Sequence, residues 1–290
     1  MQYFTKMKEN QITEYYPNQR FKDGFFHIWK TIFKNVYDSR DLVYQLFKRD
    51  FFAQYKKSFL GVAWAIITPI FGIASWVLMQ LTGVLEPGEM EVPYPVYILV
   101  GSTCWGFFMS MINSGSSTLS AGSDLIQQIK YPHEALLFKQ VMLQLVNFVI
   151  TLSLVLIVIS AFGYVPSWKT IFLPILLLPL FFLGAAVGLL LAMINVVAVD
   201  ITRLVNHTMS FLIYTVPIIY SPTVNNHFLQ LINKYNPLTY LICSVRDMVL
   251  FGRLYGFQEY FWAVGGSILF FLIVWRAFYV NENKMIERMI

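Results

Sequence analysis

Residues 140–168 read QVMLQLVNFVITLSLVLIVISAFGYVPSW, a run without Asp, Glu, Lys or Arg. A helix needs about 20 apolar residues to cross the hydrocarbon core of a bilayer, so this run predicts a membrane-spanning helix. The composition of the whole chain agrees, because 57% of its 290 residues are hydrophobic and 13% are charged. Soluble domains carry charge on about 25% of their residues. The composition therefore favours a membrane protein over a soluble one.

Five further runs lack the same four residue types, and each predicts another crossing. They cover residues 58–85, 92–123, 170–199, 204–233 and 260–275. The last run reaches full thickness when Arg276 extends its guanidinium to the headgroups. The predicted fold class is all-α, a polytopic membrane protein with six transmembrane helices.

The basic residues lie mostly on one predicted side of the membrane. Eleven of the 21 Lys and Arg residues precede the first run, whereas residues 86–95 contain three acids and no base. Because cytoplasmic segments carry the excess of Lys and Arg, we expect the amino terminus in the cytoplasm. Six crossings return the carboxyl terminus to the same side. Orientation and anionic headgroups account for the net charge of +5, so no nucleic-acid partner is predicted.

An amphipathic segment precedes the first crossing. Its apolar residues fall on one helical stripe, with His27 and Lys30 opposite. The stripe consists of Phe25, Phe26, Ile28, Trp29, Ile32, Phe33, Val36 and Tyr37. We predict a helix at the headgroup boundary, and the alternative is a helix packed on protein. Residues 1–57 are assigned to a cytoplasmic segment, 58–280 to the transmembrane domain and 281–290 to a cytoplasmic tail.

Glycines and prolines mark irregular places in the chain. The small residues Gly184 and Gly188 allow close helix approach, within one chain or between two. Pro222 and Pro237 divide the region after the fifth crossing into two pieces, each too short to span a bilayer. We predict a re-entrant helical hairpin over residues 223–256 at the outer mouth of a conduit, and the alternative is a structured external loop.

The chain lacks the motifs of an energy source or of a membrane enzyme. There is no Gly-x-x-x-x-Gly-Lys-Ser/Thr loop for ATP phosphates, and neither His-Glu-x-x-His nor Gly-x-Ser-x-Gly occurs. The histidines and the cysteines Cys104 and Cys243 have no metal-ligand spacing. Acids such as Asp200 and Asp247 lie near predicted span ends, which disfavours ion coupling. We predict no catalytic residue, no metal and no cofactor bound by this chain.

Aromatic residues make up 17% of the chain, more than interfacial belts alone require. Trp64 and Phe71 are spaced to share a helix face, and Phe211 and Tyr214 are spaced likewise in the fifth crossing. Such rings can contact sugar rings or apolar cargo, whereas the alternative places them against lipid or core. The candidate channel-lining residues are Tyr55, Phe59, Trp64, Phe71, Phe211, Tyr214 and Tyr220.

Several motifs resemble the permeases of polysaccharide-exporting ABC transporters, over nearly the whole chain after Leu42. The likeness starts at residues 55–64, YKKSFLGVAW, with Pro69 following. It continues at Asp124-Leu125-Ile126, Lys130-Tyr131-Pro132, Asn236-Pro237-Leu238-Thr239 and Arg246. The chain departs from the family at Val199, where Arg is common, so no role is assigned to the adjacent Asp200.

The resemblance implies a homodimeric permease that binds two copies of a separate cytoplasmic ABC ATPase, which would hold ATP and Mg²⁺. Residues 123–133 would form the coupling segment that docks in the ATPase. Its docking residues would be Asp124, Leu125, Gln128, Lys130, Tyr131 and Pro132. The hairpin would be the external gate, with Asn236, Pro237 and Arg246 as its key residues.

The cargo implied by the resemblance is a lipid-linked polysaccharide such as an O-antigen, a capsular polymer or a teichoic acid. The implied location is the bacterial inner membrane, with both termini in the cytoplasm. An ABC permease for drugs or lipids is an alternative, because rings that stack on sugars and rings that contact apolar ligands look alike in sequence. A membrane-embedded glycosyl or acyl transferase is the other alternative, although it needs a catalytic acid or base deep in the membrane.

Overall fold

A computed structural model describes residues 25–56, 63–121, 134–196, 198, 200–223 and 226–287, and within these ranges the chain is helical with no β-strand. The predicted all-α class is confirmed. Short 3₁₀ helices lie at Trp168–Phe172 and Ile213–Thr215. The α-helices are α1 (Phe25–Asp38), α2 (Arg40–Lys56), α3 (Trp64–Leu81), α4 (Tyr94–Ala121), α5 (Glu134–Ala161), α6 (Leu173–Asn195), α7 (Asp200–Leu212), α8 (His227–Tyr235), α9 (Pro237–Phe251) and α10 (Phe257–Glu287).

Four segments of the described chain are long and apolar enough to cross a membrane, which confirms a polytopic protein. They are Tyr94–Thr118, Ala135–Ala161, Trp168–Asn195 and Phe257–Asn281. They coincide with the second, third, fourth and sixth predicted crossings. The number of six stays a prediction, because the apolar part of α3 is the shorter stretch Ile70–Leu81.

The fifth predicted crossing differs from the continuous helix that its uncharged run implies. Helix α7 ends at Leu212, and after one 3₁₀ turn the chain is irregular over residues 216–221. Pro217 lacks an amide hydrogen and disfavours helical geometry in the residue before it. Val216 is accordingly extended, with φ −116° and ψ 136°. The lack of charge predicted a membrane location but carried no information on helix continuity.

Helices α4 and α6 meet at the centre of the core, where glycines let them approach closely. A Cβ atom added to Gly115 would lie 2.8 Å from the Gly188 Cα atom. One added to Gly184 would lie 3.1 Å from the Phe108 carbonyl oxygen. Only residues without a side chain fit at such separations. Of the two possibilities left open by the sequence, Gly184 and Gly188 therefore pack within the subunit.

Helix α1 packs on protein along part of its apolar stripe. Ile32 is buried beside Tyr279 of α10, and the ring centroids of Trp29 and Trp275 are 5.6 Å apart. On another edge of the stripe, Phe33 is 63% exposed. Helix α1 thus packs on α10 along one edge and presents an aromatic side chain on the other, while its location at the headgroup boundary stays a prediction.

The predicted hairpin consists of α8 and α9, which join at Asn236. The Asn236 Oδ1 atom accepts from the Leu238 amide at 3.0 Å, and Pro237 occupies the first turn, where a helix needs no amide hydrogen. Most of α9 between Leu238 and Val249 is buried. Helix α9 therefore lies inside the protein and is not a surface loop, while the depth of the hairpin in the membrane stays a prediction.

Candidate functional site

Helix α7 has an exposed surface that is rich in polar groups. Its inward side packs on the core, but no residue of α7 is fully buried. On its outward side, five exposed residues form what we call the α7 face: Arg203, His207, Ser210, Phe211 and Tyr214, the last in the following 3₁₀ turn. The apolar Leu204, which is 66% exposed, lies beside them. Polar side chains that face lipid are costly. The α7 face therefore requires water or another protein surface beside it.

Aromatic residues of α3 lie next to the α7 face. The rings of Trp76 and Tyr214 meet edge to face, with centroids 5.8 Å apart. Trp64 is 50% exposed and Phe71 is 75% exposed. The predicted lining residues Trp64, Phe71, Phe211 and Tyr214 thus all lie on accessible surface of two neighbouring elements.

A groove of about 460 Å³ opens between α3, α4 and α5, and none of the residues that line it is charged. We call it the α3 groove. Trp64 and Trp76 of α3, Ser110 of α4 and Asn147 of α5 lie along it, with Gln54 contributed by α2. Phe71 does not line it, although it shares a helix face with Trp64. The groove was not predicted from the sequence, because its residues come from four separate α-helices and from Ile213 in the 3₁₀ turn after α7.

The segment after α7, residues 216–221, is buried although its backbone is irregular. Side chains of α4 and α9 pair its carbonyl groups. The Tyr97 hydroxyl donates to the Pro217 oxygen at 3.1 Å, and Arg246 Nη1 donates to the same oxygen at 2.8 Å. The Tyr94 hydroxyl donates to another carbonyl of the segment at 3.0 Å. Because buried backbone groups need partners, these bonds are what allows an irregular segment inside a membrane domain.

Arg246 is the central residue of this anchor. It is 2% exposed, and its guanidinium carbon lies 4.0 Å from the centroid of the Tyr97 ring. Asp247 pairs with it at 3.1 Å, which offsets part of the cost of burying the charge. At the other end of α9, Asn236 Nδ2 donates to the Thr215 oxygen at 3.3 Å. The predicted hairpin residues Asn236 and Arg246 thus both hold the segment that follows α7.

Tyr220 belongs to this anchored segment, whereas the sequence grouped it with the channel-lining aromatics. Its side chain is 6% exposed, and its hydroxyl donates to Asn233 Oδ1 at 3.1 Å. The ring is therefore inside the subunit, away from the accessible rings of α3 and the α7 face. Aromatic content does not distinguish a ring that holds a buried segment from one on an accessible surface.

Residues 41–250 match the sequence profile of a family described as ABC-2 type transporter. The chain belongs to this family. It is 26% identical over 257 residues to the O-antigen export system permease protein RfbA of Myxococcus xanthus, which covers 88% of this chain and 96% of that protein. A protein of the same name from Klebsiella pneumoniae is 24% identical over 217 residues, which cover 74% of this chain and 82% of the relative.

This ABC-2 transporter chain also contains an ion-pair cluster that was not predicted. Asp50 of α2 accepts from Lys139 Nζ of α5 at 2.7 Å and from Arg49 Nε at 2.8 Å. Burial acts to raise the pKa of Asp50, but the hydrogen bonds and charges of Lys139 and Arg49 outweigh it and hold the pKa below its usual value. The available sequence signal is a lysine at the start of an apolar span, which needs a partner or a route to the headgroups.

Several predicted site residues of the ABC-2 transporter lie outside the described residues. They are Phe59, Asp124, Leu125, Gln128, Lys130, Tyr131 and Pro132. Tyr55 belongs to α2, but its side chain is also outside the description. In the part of the chain that the structure describes, no cluster of three or more His, Cys, Asp or Glu residues could hold a metal ion. Cys104 and Cys243 are buried free thiols.

Proposed function

We propose that this chain is the non-catalytic permease subunit of an ATP-driven exporter. Two copies of it enclose a channel for a lipid-linked polysaccharide such as an O-antigen. The observation that carries the proposal is the α7 face, on which Arg203, His207 and Ser210 are exposed in a membrane domain. Polar surface in such a domain is stable beside water, and a channel between two copies supplies that water.

The comparisons support the choice of cargo. The relatives from Myxococcus xanthus and Klebsiella pneumoniae are named as permeases of O-antigen export systems. The match to the first extends over 96% of its length, so the likeness is not confined to one segment. A shared cargo class is the simplest inference from a likeness of that extent.

The exposed aromatic residues are assigned to the channel surface. Trp64, Phe71, Phe211 and Tyr214 present rings that can contact the C–H faces of sugars without fixing one sugar type. Tyr55 and Phe59, just before α3, are assigned to the same surface. The buried Tyr220 is assigned to the anchor of the 216–221 segment and not to the channel.

The partners of this permease are two copies of a cytoplasmic ABC ATPase, which bind ATP and Mg²⁺. The ATPase docks on residues 123–133, which directly precede α5. The bond between Lys139 and Asp50 links the beginning of α5 to α2, so a displacement of the coupling segment reaches both helices. The complex is placed in the bacterial inner membrane, with both termini in the cytoplasm and with no nucleic-acid partner.

The hairpin of α8 and α9 is the external gate of the channel. Helix α9 is fixed by its buried contacts, including the bond of Arg246 to the Pro217 oxygen at 2.8 Å. Helix α8 is more accessible, since Phe228 is 69% exposed and Leu231 is 49% exposed. Opening therefore displaces α8 while α9 stays in place.

The proposal is tested by reconstituting the chain and its ATPase in liposomes with a purified lipid-linked O-polysaccharide. We expect transfer of the polymer across the membrane that requires ATP, together with polymer-stimulated ATP hydrolysis. An ATPase variant that binds but does not hydrolyse ATP is the control. Stimulation by small hydrophobic drugs alone would support a drug or lipid permease instead. Transfer of an activated sugar to a lipid acceptor without any ATPase would support a transferase.

A further inference from the structure

The α3 groove shares Trp64 with the channel surface described above, but its other lining residues are not assigned to that surface. Its volume of about 460 Å³ lies within the range of small-ligand sites, roughly 300–1,000 Å³. No charged residue lines it. Both facts favour a small uncharged ligand, or a short uncharged part of a long one, over a phosphate or an ion.

The hydroxyl groups along the α3 groove act as hydrogen-bond acceptors. Thr103, Ser110 and Thr151 each donate to a carbonyl oxygen three or four residues earlier in their own helix, at 2.7, 2.8 and 3.0 Å respectively. A hydroxyl has one hydrogen and two lone pairs. Because the hydrogen is used within the helix, each group has acceptor capacity left for a ligand. The groove is therefore matched to a ligand that donates hydrogen bonds.

An amide in the α3 groove leads to the same conclusion. Asn147 Nδ2 donates to Gln54 Oε1 at 3.3 Å. Its other atom, Asn147 Oδ1, is buried and has no hydrogen-bond partner among the described residues. A buried acceptor without a partner is costly, and a ligand hydroxyl would supply the missing donor.

Two indole rings complete the α3 groove. Trp64 and Trp76 both lie on α3 and line the groove. Their separation along the chain, at about 1.5 Å of rise per residue, brackets a length of roughly 18 Å. Flat apolar rings combined with uncharged acceptors fit a sugar, which has apolar C–H faces and hydroxyl donors. An acyl or isoprenoid chain fits poorly, because it would bury the acceptors without supplying a donor.

We propose that the α3 groove is a binding site for a short, uncharged saccharide segment of the exported glycan. In this site Asn147 and Gln54 bond sugar hydroxyls, and Trp64 and Trp76 contact the ring faces. The identity of the ligand rests on the proposed function, whereas the existence of a saccharide site does not depend on ATP-driven transport.

The test is a titration of the full chain, purified in complex with its ATPase, with maltotriose, mannotriose and galactotriose. Saturation-transfer NMR is the readout. We expect at least one trisaccharide to bind wild-type protein and Asn147→Leu to weaken that binding about tenfold, as expected when one well-placed hydrogen bond is lost. Thr151→Val, which preserves the shape of its side chain, should weaken it several-fold. Complex assembly and an unchanged thermal unfolding temperature verify that both variants are folded.

Ser153→Ala is the matched control for Thr151→Val. Ser153 lies on the same helix, is exposed, and donates to the Val149 oxygen at 2.8 Å, but it does not line the groove. We expect no change in trisaccharide binding for this variant.

Two results would overturn the saccharide site. One is the absence of a signal from all three trisaccharides. The other is equal affinity in wild type, Asn147→Leu and Thr151→Val. Quenching of tryptophan emission by dibrominated acyl chains, lost in Trp76→Phe, would assign the groove to lipid. Since the titration needs no transport, its failure leaves the exporter proposal standing, and a failure of polymer export leaves the titration result standing.

Discussion

Helices α7 and α9 are similar in length and lie 24 residues apart in the chain, but they place their polar residues in opposite ways. No residue of α7 is buried, and Arg203 and His207 are on its exposed face. Most of α9 is buried, and its charged residues Arg246 and Asp247 pair with each other. The charged residues of these two helices are thus either exposed, on a surface that needs water, or paired in the interior.

This difference in the burial of polar residues indicates different roles for α7 and α9. The α7 face is suited to contact something that moves past it, since its side chains are accessible. Helix α9 is suited to hold the chain in place, because Arg246 and Asn236 bond carbonyl groups of the segment directly after α7. The anchor therefore determines where the α7 face lies, although it contributes no residue to that face.

The largest effect on stability is expected from Arg246→Met. The variant leaves Asp247 without its partner in the interior and removes a donor from the Pro217 oxygen. Removal of one member of a buried ion pair costs about 3–5 kcal/mol. Thermal unfolding of the purified protein in detergent measures the loss.

Arg253→Met is the matched control for the anchor. Arg253 is just beyond α9 and pairs with Glu91, but both side chains are more than half exposed. Exposed ion pairs contribute about 0–1 kcal/mol. Equal stability losses for the Arg246 and Arg253 variants would contradict the distinction between anchor and surface.

A smaller loss of stability is expected from Tyr97→Phe. The change keeps the ring beside Arg246 but removes a hydroxyl that lies 3.1 Å from the Pro217 oxygen and 3.0 Å from the Tyr220 oxygen and shares its single hydrogen between them. Buried acceptors that lose a donor cost roughly 1–3 kcal/mol, reduced here because Arg246 still serves one of them. Chemical denaturation measures this loss, and Tyr214→Phe on the α7 face should be unchanged within about 0.5 kcal/mol.

The smallest effect on stability is expected from Asp50→Asn. The Asp50 carboxyl is partly exposed, so it can titrate, and it is paired with Lys139 and Arg49. Its pKa is lower in the folded protein than the ordinary 3.8. The stabilisation from Asp50 is therefore fully present above pH 3.8 and is lost as the pH falls through the lower, folded-state pKa. Asp50→Asn should reduce the unfolding temperature at neutral pH and converge with wild type in acid. Asp41→Asn, whose side chain is 91% exposed, should follow wild type throughout.

Features that depend on local pattern were predictable from the sequence. Uncharged runs identified the four apolar crossings, and Pro237 identified the boundary between α8 and α9. The spacing of Gly184 and Gly188 identified close packing, although not its location within one subunit. Each of these depends on residues that are near one another in the chain.

Features that depend on distant partners were not predictable. Lys139 and Asp50 are 89 residues apart, and Arg246 and Pro217 are 29 apart, so no local pattern pairs them. Tyr220 was grouped with the channel-lining residues because the sequence does not distinguish a buried aromatic ring from an exposed one. The uncharged acceptors of the α3 groove were missed since they come from several helices.

The central claim, that the α7 face borders a watery passage, is tested most directly by cysteine accessibility at His207. The native thiols Cys104 and Cys243 are both 0% exposed, so a membrane-impermeant thiol reagent should report on an introduced residue alone. In the reconstituted transporter we predict that His207→Cys is modified and that modification blocks polymer export. Ser153→Cys, between exposed apolar residues of α5, should stay unmodified. Failure of the reagent to reach residue 207, or full export after its modification, would contradict the account.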